Sequence, residues 1–220
     1  MNEFLFFSHI LLVLIFLGAA VRLGQASLTV YVALSGILAN LFVVKQITLF
    51  SLHVTCSDVF AVGGILGLNL LQELYGKAAA QKATYAALFS LLLFVSMSQI
   101  HLIYVPSLFD QTQGAFIAIL GHSLRIVAAS VSVYYIVQRF DILFFGYLKQ
   151  RMQNLSVRLT LSLIVSQALD TVLFSYLGLY GLVASIFDII LMSFAMKCTI
   201  IACSTPIAAF LKRFAVKEVA

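Results

Sequence analysis

Charge is what this sequence has least of. Lys, Arg, Asp and Glu make up 10% of its 220 residues, hydrophobic residues 63%, and mean hydropathy is +1.10. A soluble domain of ordinary composition carries about 25% charged and about 45–50% apolar residues. The polar surface is too small to cover a water-soluble globule, so lipid must be the solvent. Cysteine is sparse as well. Cys56, Cys198 and Cys203 show no CxxC spacing, which excludes a disulfide framework or a zinc site, and the last two read as small packing residues in an apolar run. The absence of GxxxxGK[ST] excludes ATP hydrolysis through a P-loop by this chain. Neither HExxH nor GxSxG occurs, and His9, His53, His101 and His122 are scattered without ligand spacing. No enzyme activity, metal or cofactor is therefore expected. No stretch reads as a linker and no internal repeat is visible, which leaves a single transmembrane domain over residues 1–220.

What is abundant is long apolar runs. A spanning helix needs about 20 mostly apolar residues. Seven segments meet that need, near 4–21, 28–44, 59–75, 84–105, 114–137, 158–178 and 183–210. The expected fold is all-α, a polytopic transmembrane bundle of about seven helices, a six-helix core plus an N-terminal helix. The first segment reads as a retained helix and not a signal peptide, because Glu3 precedes it without Lys or Arg and its apolar stretch is long. Gln46 to Ser57 mixes polar and apolar β-prone residues, as in an external hairpin or re-entrant loop.

The net charge of +5 does not point to nucleic acid, because the cations sit between the apolar segments. Arg22, Lys77, Lys82, Arg139, Lys149, Arg151, Arg158, Lys212, Arg213 and Lys217 fall on one side, and only Lys45 on the other, with Glu3, Asp58 and Asp110. Positive residues stay inside, so the expected orientation is N-terminus out, C-terminus in. Asn154-Leu155-Ser156 matches a glycosylation sequon but lies on the inner side and reads as chance.

Within the membrane remain Glu73, Arg125, Asp170, Lys197 and, near an edge, Asp188. Insertion scales charge about 2.5–3.5 kcal/mol for such a residue at a helix centre, and intramembrane ionisable groups mark functional sites by default. On the third segment Asn69, Gln72, Glu73 and Gly76 share one helical face, behind a Gly63–Gly67 pair. Ser130, Tyr134, Gln138 and Asp141 form a stripe on the fifth, with Arg125 pointing elsewhere. Ser162, Ser166 and Asp170 form one on the sixth, flanked by Gln167 and Thr171; the seventh brings Lys197, Thr205 and Pro206. Pro206 is expected to kink or end its helix. A polar cavity among these four helices is expected, with Glu73, Asp170 and Lys197 as its ionisable members. Ser130, Ser162 and Ser166 read as helix–helix glue. Asp170 and Lys197 could instead form an ion pair that need not touch solute, and Arg125 is either an ion-pair member or a ligand contact.

These residues also form an ordered string. Leu-Ala-Asn ending at Asn40 and Glu-Leu-Tyr-Gly-Lys at 73–77 are followed by Arg125 with Ser130, Tyr134, Gln138 and Asp141. Then come Ser166-Gln167 with Asp170-Thr171, and Lys197 with Thr205-Pro206. The string resembles the queuosine-precursor transporter family, also known as a vitamin-uptake family, from about Tyr31 to Ala209. The resemblance implies a multi-pass bacterial inner-membrane importer of 7-deazaguanine bases (preQ0, preQ1 or queuine) for tRNA-modification salvage. It implies no cofactor, no direct nucleic-acid contact, and binding residues at Asn40, Asn69, Glu73, Arg125, Tyr134, Gln138, Gln167, Asp170 and Lys197. The sequence departs from the family pattern at Leu68-Asn69 in place of Thr-Asp, at Leu159-Thr160 in place of an Asn pair, and at Phe194 in place of Tyr. Glu73 or Asp170 could accept the adjacent ring N–H and amino group of a guanine-like base, Asn69 or Gln167 could donate to its carbonyl, and Tyr134 or Phe174 could stack on it. Glu73 is the first candidate for carrying a proton. The alternatives are a substrate-binding subunit of an ATP-driven vitamin-type uptake system, a carrier of another small planar solute, and a membrane enzyme or assembly factor. A homo-oligomer and a separate energising module both remain open.

Overall fold

The computed structural model describes residues 1–50, 52–55, 57–121, 124–181 and 186–215. Cys56, His122, Lys217, the His53 side chain and the first residues of the expected last segment lie outside the described residues. Helix α1 (Asn2–Leu23) is followed by α2 (Gln25–Phe42), a hairpin of β1 (Gln46–Leu49) and β2 (Leu52–Thr55), α3 (Ser57–Tyr75) and α4 (Lys77–Ile103). Then come a short α5 (Gln113–Leu120), α6 (Leu124–Arg151), α7 (Leu155–Phe174), and α8 (Ile186–Leu211) ending in a 3-10 turn. A π-helical turn, Ser175–Leu179, extends α7.

Single glycines make the tightest connections. Gly24 and Gly76, at φ of 99° and 86°, reverse the chain between α1 and α2 and between α3 and α4. That backbone region is open to glycine and penalises a Cβ. At 1.5 Å per residue, helices of this length match a hydrocarbon core of about 30 Å. Six of them (α1, α2, α4, α6, α7 with its π turn, and α8) are long and apolar enough to cross it. Phe16, Phe89 and Phe187 lie on their exposed faces, as lipid solvent allows.

Helix α3 is the seventh long helix and the central one. Every residue from Val62 to Gln72 is buried, so its polar side chains face neighbouring helices and not lipid. Its glycines allow that burial. A Cβ on Gly67 would come within 2.9 Å of the Tyr31 ring of α2, and one on Gly63 within 2.9 Å of the Tyr31 hydroxyl. Small residues of this kind let helix backbones approach closely in a membrane.

The hairpin expected near 46–57 is present, paired antiparallel with Gln46 opposite Thr55 and Leu49 opposite Leu52. Asn2 Nδ2 donates to the Thr48 carbonyl at 2.9 Å, which fixes the N-terminus at the hairpin end. The C-terminal turn lies at the other end, as an odd number of long helices requires. Two expected boundaries need correction. The fourth helix begins at Lys77 and not near 84. The segment expected over 114–137 is two helices, α5 ending at Gly121 and α6 running on to Arg151. Pro206 lies inside α8, which ends at Leu211, close to the expected end near 210. Asn154 caps α7, its Oδ1 accepting from the Val157 N–H at 3.3 Å.

Candidate functional site

A cavity of about 730 Å³ occupies the hairpin half of the bundle. Side chains of α2, α3, α4, α5, α6, α7 and α8 line it, together with residues of the hairpin and the π turn. It therefore recruits α2 and α4 beyond the four helices expected from sequence. Exposed Gln46 and Asp188 stand at the rim, so the cavity reaches the surface there.

Its ionic centre is Lys197, buried on α8. The ammonium lies 2.6 Å from Asp170 Oδ2, 3.0 Å from Thr171 Oγ1 and 3.8 Å from Asp58 Oδ1. Asp58 Oδ2 also accepts from Ser193 Oγ at 3.4 Å. Asp170 is thus tightly held, while both Asp58 contacts are long. One cation between two carboxylates leaves a formal excess of one negative charge. Breaking such a buried arrangement by removing one partner costs about 3–5 kcal/mol.

Asp58 is the residue sequence reading missed. It sits in the first turn of α3, beside residues read as a loop, and only its α8 partner reveals its role.

Below the ionic centre the cavity is lined by amides and aromatics. Gln167 is fully buried and neither its Nε2 nor its Oε1 has a hydrogen-bond partner. Such an amide is costly unless something completes it. Gln138 is buried on α6 beside Tyr134. The Tyr134 hydroxyl donates to the Val32 carbonyl at 3.4 Å and packs against Gly36, where a Cβ would come within 2.7 Å of it. Asn40 donates to the Gly36 carbonyl and accepts a short hydrogen bond from Ser130. Phe60 and Phe174 complete the lining. Of the nine residues expected at the site, the cavity gathers Asn40, Tyr134, Gln138, Gln167, Asp170 and Lys197.

Asn69, Glu73 and Arg125 lie outside the cavity lining. Arg125 is exposed, and its Nε donates to the Leu177 carbonyl at 2.9 Å, holding the start of α6 against the π turn. Glu73 lies at the opposite end of the bundle. Its carboxylate pairs with Arg158 of α7 at 3.0 Å, Lys149 of α6 at 3.1 Å and Lys212 at the end of α8 at 2.7 Å. Glu73 thus ties α3 to three helices away from the cavity. Asn69 faces Asp141, one turn beneath the cavity floor.

Long apolar helices around a partly charged cavity define a multi-pass membrane protein. The family model described as "Putative vitamin uptake transporter" matches residues 55–211, and the chain belongs to that family. The resemblance seen in the motif string is thus shown. A protein of Bacillus subtilis (strain 168) named "Probable queuosine precursor transporter" is 29% identical over 178 residues, covering 78% of this chain and 76% of that protein. No solved structure matches.

Proposed function

We propose that this chain imports a 7-deazaguanine base (preQ0, preQ1 or queuine) across a bacterial inner membrane, N-terminus out and C-terminus in. The observation that carries this reading is the uncompleted Gln167 amide, which lines the same cavity as Asp58, a carboxylate held only at long range. A guanine-like ring presents an N–H and an amino group side by side, which two oxygens of one carboxylate can accept. Asp58 serves that role better than Asp170, whose Oδ2 is engaged by Lys197 at 2.6 Å. Gln167 then completes the ring's carbonyl edge, and Phe174 or Tyr134 stacks on the ring face. The volume lies within the roughly 300–1,000 Å³ usual for small-molecule sites. The printed name of the Bacillus subtilis relative supports the same cargo class.

The cavity reaches the hairpin end, and the Glu73 ion pairs close the other. Alternating access requires those pairs to part while the hairpin end shuts. No chemical step on the cargo is involved.

The test is uptake by a salvage-dependent bacterium lacking its own importer, read as queuosine in tRNA. The chain should restore queuosine from one of the three bases, and Gln167→Leu should cut the initial rate about 10-fold or more, the consequence of leaving the base edge unpaired. Absence of restoration by any base, with the protein present in the membrane, would refute the cargo assignment.

A further inference from the structure

The charge that lines the cavity is lopsided, and its carboxylates are the more accessible part. Among the described lining residues Asp58, Asp170 and Asp188 are acidic, and Lys197 alone is basic. Lys197 is also the hidden member of its group. Its side chain is 4% exposed, against 14% for Asp58 and 27% for Asp170. The ammonium thus lies behind the two carboxylates, and the surface offered to a solute is anionic. Asp188, exposed in the first turn of α8, adds a further carboxylate at the rim.

Neighbouring cations do not restore the balance. Lys45 and Arg125 are exposed and lie outside the lining, and Arg125 Nε is taken by the Leu177 carbonyl. His9 sets its ring edge-on to Phe60 and is likewise outside the lining. Lys149, Arg158 and Lys212 pair with Glu73 at the far end of the bundle. Three carboxylates against one ammonium leave a formal excess of two negative charges on the lining.

A neutral solute would displace water from these carboxylates and leave the excess in place, a costly condition inside a membrane. A solute bearing an ammonium offsets it. Its N–H groups also make charge-assisted hydrogen bonds, about twice as strong as neutral ones. The lining rings of Phe60 and Phe174 favour the same charge, because an aromatic face attracts a cation.

We infer that the cavity selects a solute carrying a protonated amine, and that Asp58, Asp170 and Asp188 set this preference. The inference rests on the import of a 7-deazaguanine base proposed above, and it narrows the cargo. Bases with an aminomethyl nitrogen, preQ1 or queuine, are preferred to the nitrile preQ0, which is uncharged at neutral pH. The ring edge and the amine sit at opposite ends of such a base. Asp58 can therefore hold the one while Asp170 and Asp188 supply the field for the other. A monovalent cation entering a cell that is negative inside is concentrated about 50-fold per 100 mV with no coupled ion.

The test is calorimetric titration of the purified full chain with preQ1, its 7-hydroxymethyl counterpart and preQ0. The hydroxymethyl base keeps the size of the side group and its hydrogen bonding, and lacks the charge. preQ1 should bind about 10-fold to 100-fold more tightly than either neutral base, the range of one hydrogen bond to a charged group. Asp170→Asn and Asp188→Asn should each lower that ratio about 3-fold or more. A ratio is insensitive to partial loss of folded protein. If Asp170→Asn does not fold, the wild-type ratio and the exposed Asp188 decide the matter. Equal or tighter binding of the neutral bases overturns this inference and leaves the cargo class standing; a proton held on Asp58 would give that result. A ratio unchanged by loss of either carboxylate overturns their role. Binding of none of the three bases removes the cargo assignment, and this inference with it.

Discussion

Lys197→Met should abolish uptake, with a loss of at least about 100-fold. The side chain is 4% exposed and stands between Asp58 and Asp170, so its removal strands two carboxylates that pair with no other cation among the described residues. Removing one member of a buried charge cluster costs about 3–5 kcal/mol, and each 1.4 kcal/mol is tenfold in an equilibrium. Stability and function can be separated. Lys197→Met combined with Asp170→Asn removes one stranded charge and should recover much of the lost Tm. Uptake should stay lost, because the electrostatic setting of Asp58 has changed. Recovery of both in the double variant would mean that the cluster only neutralises itself and does not handle solute. Lys197→Arg should not substitute, since a planar fork replaces a compact ammonium held 2.6 Å from Asp170 and 3.0 Å from Thr171.

The second large effect belongs to Glu73. Its side chain is 5% exposed and its Arg158 partner 6%, while Lys149 and Lys212 are 39% and 45% exposed. Glu73→Gln therefore loses about 3–5 kcal/mol chiefly through the uncompensated Arg158. The half-exposed lysines contribute about 0–1 kcal/mol each. The Tm should fall by roughly 10 °C, at about 2–4 °C per kcal/mol for a chain of this size. Equilibrium affinity for the base should change little, because the cavity lies at the other end of α3. Cysteines placed near Lys149 or Lys212 should react faster with a water-soluble maleimide as that end loosens. A large fall in affinity with unchanged Tm would return Glu73 to the binding site, where sequence alone puts it.

That misplacement shows where sequence reasoning reaches its limit. The stripe Ser130, Tyr134 and Gln138 is legible because helical spacing is local. The same is true of Asp170 with Gln167, and all five line the cavity. The β-prone stretch before α3 is legible for the same reason. Glu73 is not, because its partners come from positions 149, 158 and 212, and no local pattern distinguishes a charge facing a solute from one facing three cations. Asp58 reads as a loop residue because it lies at the edge of an apolar run, where one turn of helix decides between rim and lining. The break at Gly121 between α5 and α6 is missed because Gly121-His122-Ser123 is only a short interruption between the apolar runs Phe116–Leu120 and Ile126–Ala129. In lipid, hydropathy marks where the chain is submerged and says little about where a helix stops. Asp141 is visible as the end of a stripe, but that no Lys, Arg or His pairs with it among the described residues is a three-dimensional fact.

The most direct test of the binding account is calorimetric titration of the purified protein with preQ0, preQ1 and queuine, repeated for Gln167→Leu and Asp58→Asn. One base should bind to the wild type, and each variant should bind it about 5-fold to 100-fold more weakly, as expected for 1–3 kcal/mol lost at an unpaired buried group. Binding unchanged in both variants, or no binding of any of the three bases to folded protein, would contradict the account.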